Sequence, residues 1–281
     1  MSDIVTGIDH TIILVADLDR AAATYRRLGF TLTERGRHTK LGTHNHCMML
    51  ENDYLEILGV AEPGQASARW TDILADREGP VAAALATDDA EAAASVLARR
   101  GLRVGEAVHF SRPVDLPEGR RDASFVVTHV DAAETPCASM FFCQHLTRDV
   151  VWRPEWQRHA NGAVGIVSLL AVHPDPAQAA PAYRRLVGDG RVALRGDRLD
   201  VAFGRCTMII VRPEHVPALS SGIAPARSAA ATRLVGITLR VTDVGATRAY
   251  LAGQGIATGG SDAQVVVPPA STHGVILGFV A

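Results

Sequence analysis

The chain has 281 residues, long enough for two domains. With 47% apolar and 21% charged residues it has the composition of a globular protein, and a net charge of −2 with a pI near 6.6 leaves no electrostatic footprint for nucleic acid. No apolar run approaches the roughly 20 residues a membrane helix needs, and the opening MSDIVTGIDH lacks the charged and apolar regions of a signal peptide.

Residues 8–16 alternate and are rich in Ile and Val, so they read as a strand. Asp17 can cap a following helix in which Leu18, Ala21, Ala22, Tyr25 and Leu28 share one face, and Gly29 suits its C-terminal end. Strands are expected at 30–34, 46–50 and 54–60, with breaks at Gly42-Thr43 and Asn52-Asp53. The order is β-α-β-β-β. Residues 61–79 read as a linker with a short helix. A second unit follows: strand 80–87, an amphipathic helix over 90–100 ending at Gly101, strand 103–110, a loop over 112–122 and strands over 123–130 and 138–146. Residues 147–163 have no clean period and read as a crossing connection. A third unit begins at Val164. A linker rich in Pro, Ser and Ala covers 213–233, and a fourth unit runs from Leu234 to the end. One pattern thus recurs four times, and a single such unit cannot cover its own sheet face, so the units should pair.

Two ionisable residues interrupt this apolar strand pattern. His10 sits in IDHTIIL and Glu56 in YLEILGV, and local inconsistencies of this kind concentrate at functional sites. The four cysteines, Cys47, Cys137, Cys143 and Cys206, are widely spaced with no CxxC, which reads as reduced, buried thiols in a cytoplasmic protein and argues against a zinc knuckle. His44 and His46 lie at i, i+2 around Asn45 and would share one strand face. Trp152, Trp156 and His159 could border a pocket or anchor the crossing between halves. Arg120 and Arg121 read as a solvated loop.

The stretch IDHTIILVADLDRAAATYRRLGF with YLEIL resembles the vicinal oxygen chelate superfamily, the fold shared by glyoxalase I, extradiol dioxygenases and bleomycin-resistance proteins. RHTKLGTHN, FFCQHLTRDVVWRPEW and HANGA resemble its glyoxalase-like branch. The resemblance implies an α+β fold of four βαβββ modules paired into two domains, 1–160 with an active cup and 161–281 degenerate. It implies a divalent metal held by residues of the first and last strands of paired modules. His10 matches the first-strand position and Glu56 the last. Imidazole plus carboxylate suits Zn, Fe, Mn or Ni.

In the second module, Val81 or Ala82 falls where a ligand is expected, and the last strand offers Gln144 or His145. The set His10, Glu56 and His145 would form a facial triad with open positions, and strand parity cannot be fixed from sequence because adjacent residues face opposite ways. His44, Asn45, His46, Gln144 and Trp152 are the candidates for lining the substrate pocket. In the C-terminal half Ser168, Gly236 and Gly278 replace the polar positions, so that half is expected to be metal-free and to serve structure, dimerisation or pocket closure. The resemblance implies a metal-dependent lyase, isomerase or dioxygenase acting on a small oxygenated metabolite, with no nucleic-acid or membrane partner and a homodimer as one assembly. A metal-free small-molecule binder of the bleomycin-resistance type is the alternative.

Overall fold

The computed structural model describes residues 4–38, 41–225 and 232–281. In the first half, β1 (Gly7–Leu14), α1 (Leu18–Arg27), β2 (Gly36–His38), β3 (Thr43–Met49) and β4 (Tyr54–Val60) form one βαβββ unit. After α2 (Ala68–Asp76), β5 (Gly79–Ala86), α3 (Ala90–Arg99), β6 (Val108–Leu116), β7 (Gly119–His129) and β8 (Ser139–His145) form the next. A short α4 (Arg148–Val151) leads to the second half. There β9 (Ala163–Val172), α5 (Pro176–Val187), β10 (Val192–Arg195), β11 (Arg198–Phe203) and β12 (Cys206–Val211) make the third unit. After α6 (Val216–Leu219), β13 (Arg233–Val241), α7 (Val244–Gly253), β14 (Gly259–Ser261), β15 (Gln264–Val267) and β16 (Ile276–Val280) make the fourth.

Each half is one eight-stranded sheet, in the orders β2-β3-β4-β1-β5-β8-β7-β6 and β10-β11-β12-β9-β13-β16-β15-β14. The first and last strands of each unit pair in parallel, and the two units of a sheet join through antiparallel first strands, β1 with β5 and β9 with β13. The fold is therefore α+β, with four βαβββ modules paired into two curved sheets. The repeat extends to the helix caps. Asp17, Asp89, Asp175 and Asp243 each accept a hydrogen bond from a backbone N–H in the first turn of α1, α3, α5 and α7.

Strand alternation sends one set of side chains to each face of the first sheet. Ile13, Val15, Met48, Leu55, Ile57, Leu85 and Phe142 face the helices, and they join a single core with Tyr183, Leu186, Leu239, Leu251, Leu277 and Phe279 of the second half. The two sheets thus turn their helix-covered faces toward each other. Phe30 stacks on Phe279, the Tyr25 hydroxyl donates to the Thr272 carbonyl at 3.1 Å, and Arg100 donates to the Leu186 carbonyl at 2.9 Å. Backbones also meet: a Cβ on Gly274, whose φ is +83°, would lie 2.6 Å from the Glu78 carbonyl oxygen.

At this seam the Glu78 carboxylate contacts His273 Nδ1 at 3.0 Å and accepts from the Ala16 N–H at 2.8 Å, while His273 Nε2 lies 3.2 Å from the Thr24 hydroxyl. The hydrogen bond with His273 holds the Glu78 carboxyl below its usual range against partial burial. A depressed carboxyl pKa stabilises the fold above the unfolded value, and that contribution is lost as pH falls through the folded value. Glu78→Gln is therefore expected to lower the melting temperature near pH 7, by an amount corresponding to roughly 0.5–1 kcal/mol. Wild type and variant should converge as pH falls through the folded carboxyl's range, which a pair of calorimetric scans would check.

Two expected elements differ. Residues 30–34 form no strand, and the edge strand comes later, at β2. The stretch 112–122, read as a loop, instead belongs to the long hairpin β6–β7, paired from Val108↔Val127 to Leu116↔Gly119. Pro113 is tolerated because β6 is an edge strand, and the polar exposed side chains that suggested a loop are the outer face of that edge. The linker 61–79 contributes α2, which packs Trp70, Ile73 and Leu74 against Ile12, Leu14 and Leu58. Of the expected linker 213–233, residues 226–231 lie outside the described residues. The part before them folds into the second sheet's concave face, where Val216, Leu219 and Ile223 pack with Leu170, Val235 and Ile276. The remaining space there is only about 20 Å³.

Candidate functional site

The concave face of the first sheet encloses a cavity of about 130 Å³. Period-two alternation supplies its lining: His10 and Ile12 from β1, Thr43, Asn45 and Cys47 from β3, Tyr54, Glu56 and Leu58 from β4, Phe125, Val127 and His129 from β7, Phe141 and Cys143 from β8. The edge strands β2 and β6 approach each other, so the sheet is curled almost into a barrel, with His38 and Arg112 at the closing seam. Helix α2 brings Trp70 and Arg69 over the mouth. A roomier groove between the halves, about 410 Å³, is lined by Arg20, Arg27 and the His273–Glu78 pair, which serve the packing of the halves.

The floor is a chain of polar contacts among buried groups. Asn45 Nδ2 donates to Glu56 Oε1 at 2.6 Å. Glu56 Oε2 lies 3.5 Å from His10 Nε2. His10 Nδ1 donates to Asp9 Oδ1 at 2.6 Å, and the same oxygen is 3.2 Å from His145 Nε2. The Tyr54 ring stacks on the His10 imidazole with centroids 4.4 Å apart. Adjacent residues of a regular strand cannot share a face, so Asp9 and His10 need a local irregularity. The register of β1 against β5 shifts between Ile8 and His10, leaving Asp9 as an extra bulged residue. Burial alone would raise the Asp9 carboxyl; hydrogen bonds from His10 and His145, together with their charge, reverse this and hold it well below the usual carboxylate range. Asp9 is thus ionised and fixes the His10 tautomer with its proton on Nδ1. The Nε2 lone pair then faces a carboxylate oxygen across 3.5 Å, an arrangement that calls for a cation or a proton between them.

Module pairing accounts for the other side of the floor. Across β1–β5 Thr11 pairs with Ala83 and Ile12 with Ala82, so the pseudo-two-fold between the modules relates His10 to Ala82, and alanine occupies the first-strand position of the second module. Glu56 stands two residues after Tyr54, the parallel partner of His10; Phe141 stands two residues after Ser139, the parallel partner of Ala82. Phe141 therefore holds the position that corresponds to Glu56, and Cys143 that of Leu58. Ligand atoms of Asp9, His10 and Cys143 lie within 4.8 Å of one another. Burial and the nearby Asp9 and Glu56 carboxylates push the Cys143 thiol well above its usual range, and burial with Glu56 pushes Cys47 up to about 12, so neither is a ready nucleophile in the protein alone.

The sequence candidates separate accordingly. His10, Glu56 and Asn45 converge on the cavity floor. His145 shares the parity of Phe141 and Cys143, but it lies behind the floor, walled by Tyr54, Phe125 and Trp152, with Nε2 on Asp9 and Nδ1 buried without a partner. Gln144 faces the opposite way: it accepts from the Ala90 N–H at the start of α3 and donates to the Asp88 carbonyl, so it does not line the pocket. His44 and His46 share a face, but it is the helix face; His46 Nδ1 contacts the Thr33 carbonyl at 2.8 Å. Trp152 packs against Tyr54 and His145 and not on the cavity. His159 accepts from the Thr31 N–H and donates to the Met49 carbonyl, a clamp on the crossing connection. Arg121 pairs with Asp149 at the surface.

Sequence reasoning passed over Asp9, Tyr54 and Arg112, and read Cys143 only as a buried thiol, which it is. The adjacency of Asp9 and His10 was the available signal, hidden by the assumption of a regular strand. Gly36 also belongs to the site's support, since a Cβ there would lie 2.2 Å from Asn45 Oδ1. Gly36→Ala is expected to displace Asn45 and break its bond to Glu56, a loss of roughly 1–3 kcal/mol in stability. Denaturant titration would measure this, and an unchanged midpoint would count against a tightly packed Asn45–Glu56 pair.

The family model described as Glyoxalase-like domain matches residues 8–187, more than half of the chain. No curated protein matches the sequence. Among solved structures, a hypothetical protein from Staphylococcus aureus superposes with a TM-score of 0.69 at 15% identity, covering 97% of this chain and 98% of that one. A mutant of 4-hydroxymandelate synthase from Streptomyces coelicolor gives a TM-score of 0.60 at 12% identity, covering 98% and 92%. A xylose isomerase-like TIM barrel/4-hydroxyphenylpyruvate dioxygenase fusion protein gives 0.60 at 12% identity, covering 100% of this chain and 49% of that one. At such identities the structural likeness speaks to fold, and with the family match and the paired βαβββ modules it places the chain in the Glyoxalase-like domain family of the vicinal oxygen chelate superfamily.

Proposed function

We propose that the cup of the first sheet is the site of a divalent-metal-dependent enzyme, acting on a small oxygenated metabolite by lyase, isomerase or dioxygenase chemistry. The observation that carries the reading is the pair of electron-rich atoms, His10 Nε2 and Glu56 Oε2, facing each other across 3.5 Å at the bottom of an open cavity. Two ligands of one tetrahedral ion would stand about 3.4 Å apart, given metal–ligand bonds of roughly 2.1 Å. The donors fit such an ion: imidazole nitrogen and carboxylate oxygen, with the Cys143 thiol on the same face. The hydrogen bond from His10 to Asp9 is the carboxylate–histidine support that metal-ligating imidazoles ordinarily have.

A bound ion would polarise a substrate oxygen as a Lewis acid. The chain's own groups orient the rest. Asn45 fixes the Glu56 carboxylate, Tyr54 holds the imidazole plane, Asp9 holds its tautomer, and the aromatic walls limit water around the reacting group. His145 acts here through Asp9. Four free, buried cysteines accord with a reducing, cytoplasmic setting.

The expected result is about one equivalent of divalent metal in protein purified without a His tag, with His10→Ala and Glu56→Ala each losing it. Retention in both variants, by elemental analysis, would sink the assignment. A second reading, a metal-free small-molecule binder, is favoured by Ala82 and Phe141, which leave the second module short of strong donors. There a proton on His10 Nε2 would bridge to Glu56, and no metal would bind on titration.

A further inference from the structure

We infer that the cup takes a flat, apolar anion, an aryl carboxylate or a molecule of that shape, and that Arg112 is the residue that binds its carboxylate. The inference rests on the cup being a small-molecule site but not on a metal being bound there.

Arg112 projects from β6 into the cavity wall, half-buried, and no carboxylate among the described residues pairs with it. Its guanidinium sits at the seam where the edge strands meet. A Cβ built on Gly36 would lie 3.5 Å from Arg112 Nη1 and 2.2 Å from Asn45 Oδ1, so the guanidinium flanks the Asn45–Glu56 pair. A guanidinium presents a rigid fork of donors that matches a carboxylate, and one left without an internal partner in a cleft wall is available to a ligand.

The surroundings select the same charge. Glu56 is the one carboxylate among the lining residues, and Asn45 already holds it. Arg69 adds a second cation at the mouth, its guanidinium 4.1 Å from the Trp70 ring centroid. Besides the ionised Asp9 behind the floor, the wall and mouth carry two guanidiniums, and low-dielectric walls strengthen their pull on an anion at the seam. The walls set the shape. Phe110 and Phe125 stack with centroids 5.0 Å apart and planes 21° from parallel, and Phe141 closes against His10 with an edge-on contact. Ile12 and Leu58 continue the apolar lining, packed with Phe141. A planar apolar body suits this lining, with its charge directed to the seam.

The test is calorimetric titration with benzoate and with its neutral isostere benzamide. Both EDTA-treated and Zn²⁺-supplemented protein are used, for wild type, Arg112→Met and the milder Arg112→Lys. The expected result is benzoate binding that weakens roughly tenfold or more in Arg112→Met. Weak benzamide binding should stay unchanged by the substitution, and Arg112→Lys should fall between. Equal affinity for benzoate and benzamide, benzoate affinity unchanged in both Arg112 variants, or no benzoate binding by wild type in either condition would each overturn the inference. Benzoate binding that appears only with Zn²⁺ and ignores Arg112 would overturn it while supporting the metal site. Arg112-dependent binding in protein that takes up no Zn²⁺ would support it while removing the metal reading.

Discussion

Removal of residues 163–281 is expected to leave residues 1–162 unable to fold as a soluble monomer, even though every residue of the candidate site precedes the cut. The reason is the placement of the core. Helices α1 and α3 flank the seam: one side of each is exposed, and the buried side joins a core that continues into the second half. Tyr25, Leu28 and Phe30 share one cluster with Tyr183, Leu186, Leu251, Leu277 and Phe279. Exposing a large buried apolar side chain costs about 1.5–3 kcal/mol, so baring six of them costs about as much as the 5–15 kcal/mol that holds an ordinary domain together. The cut also strands polar partners, among them the Asp53 carboxylate that accepts from the Ile166 N–H at 3.0 Å and the Glu51 N–H that donates to the Val164 carbonyl. Circular dichroism and size-exclusion chromatography of the fragment would report the outcome. A monomer that melts cooperatively would show that the halves are independent, and would make the degenerate second cup a removable appendage.

The second half therefore has a physical task that its sequence conceals. Ser168, Gly236 and Gly278 announced the loss of polar positions on its concave face, and that reading follows from single residues. What fills the vacated cup is less visible. Val216, Leu219 and Ile223 come from a stretch that composition marks as a linker, and only the tertiary fold shows them packed on Leu170 and Ile276. The four helices were legible because capping aspartates and apolar spacing coincide at each. The β6–β7 hairpin was not, because an exposed edge strand carries polar side chains and looks like a loop until its partner is known. In the site, His10 and Glu56 stood out as charges in apolar strands. Their neighbours did not, because a bulge at Asp9 breaks the alternation on which parity arguments rest, and because the matching positions of the second module are filled by alanine and phenylalanine, which in sequence look like core.

Asp9→Asn is expected to weaken metal binding by about 10–100-fold while leaving the fold in place. Asparagine has the size of aspartate and can still accept from His10 Nδ1–H, so the bulge and the packing against His145 should survive. Two things change. The oxygen no longer carries a charge, so the hydrogen bond that holds the His10 imidazole is weakened. The carboxamide can also rotate to place its NH2 toward Nδ1, which moves the imidazole proton to Nε2 and points a donor at Glu56 where a lone pair is needed. Both effects act on Nε2 and leave His10 and Glu56 themselves unchanged. A purely structural role for Asp9 would lower thermal stability and leave the metal affinity of the folded protein unchanged. The role argued here predicts the reverse: a modest change in melting temperature, a large loss in Zn²⁺ affinity by competition with a chelating dye, and a shift of the His10 ring nitrogen resonances in metal-free protein from the Nδ1–H toward the Nε2–H tautomer. Asp9→Glu, which restores the charge but lengthens the side chain in a fully buried position, should not rescue affinity, because the 2.6 Å contact leaves no room for another methylene.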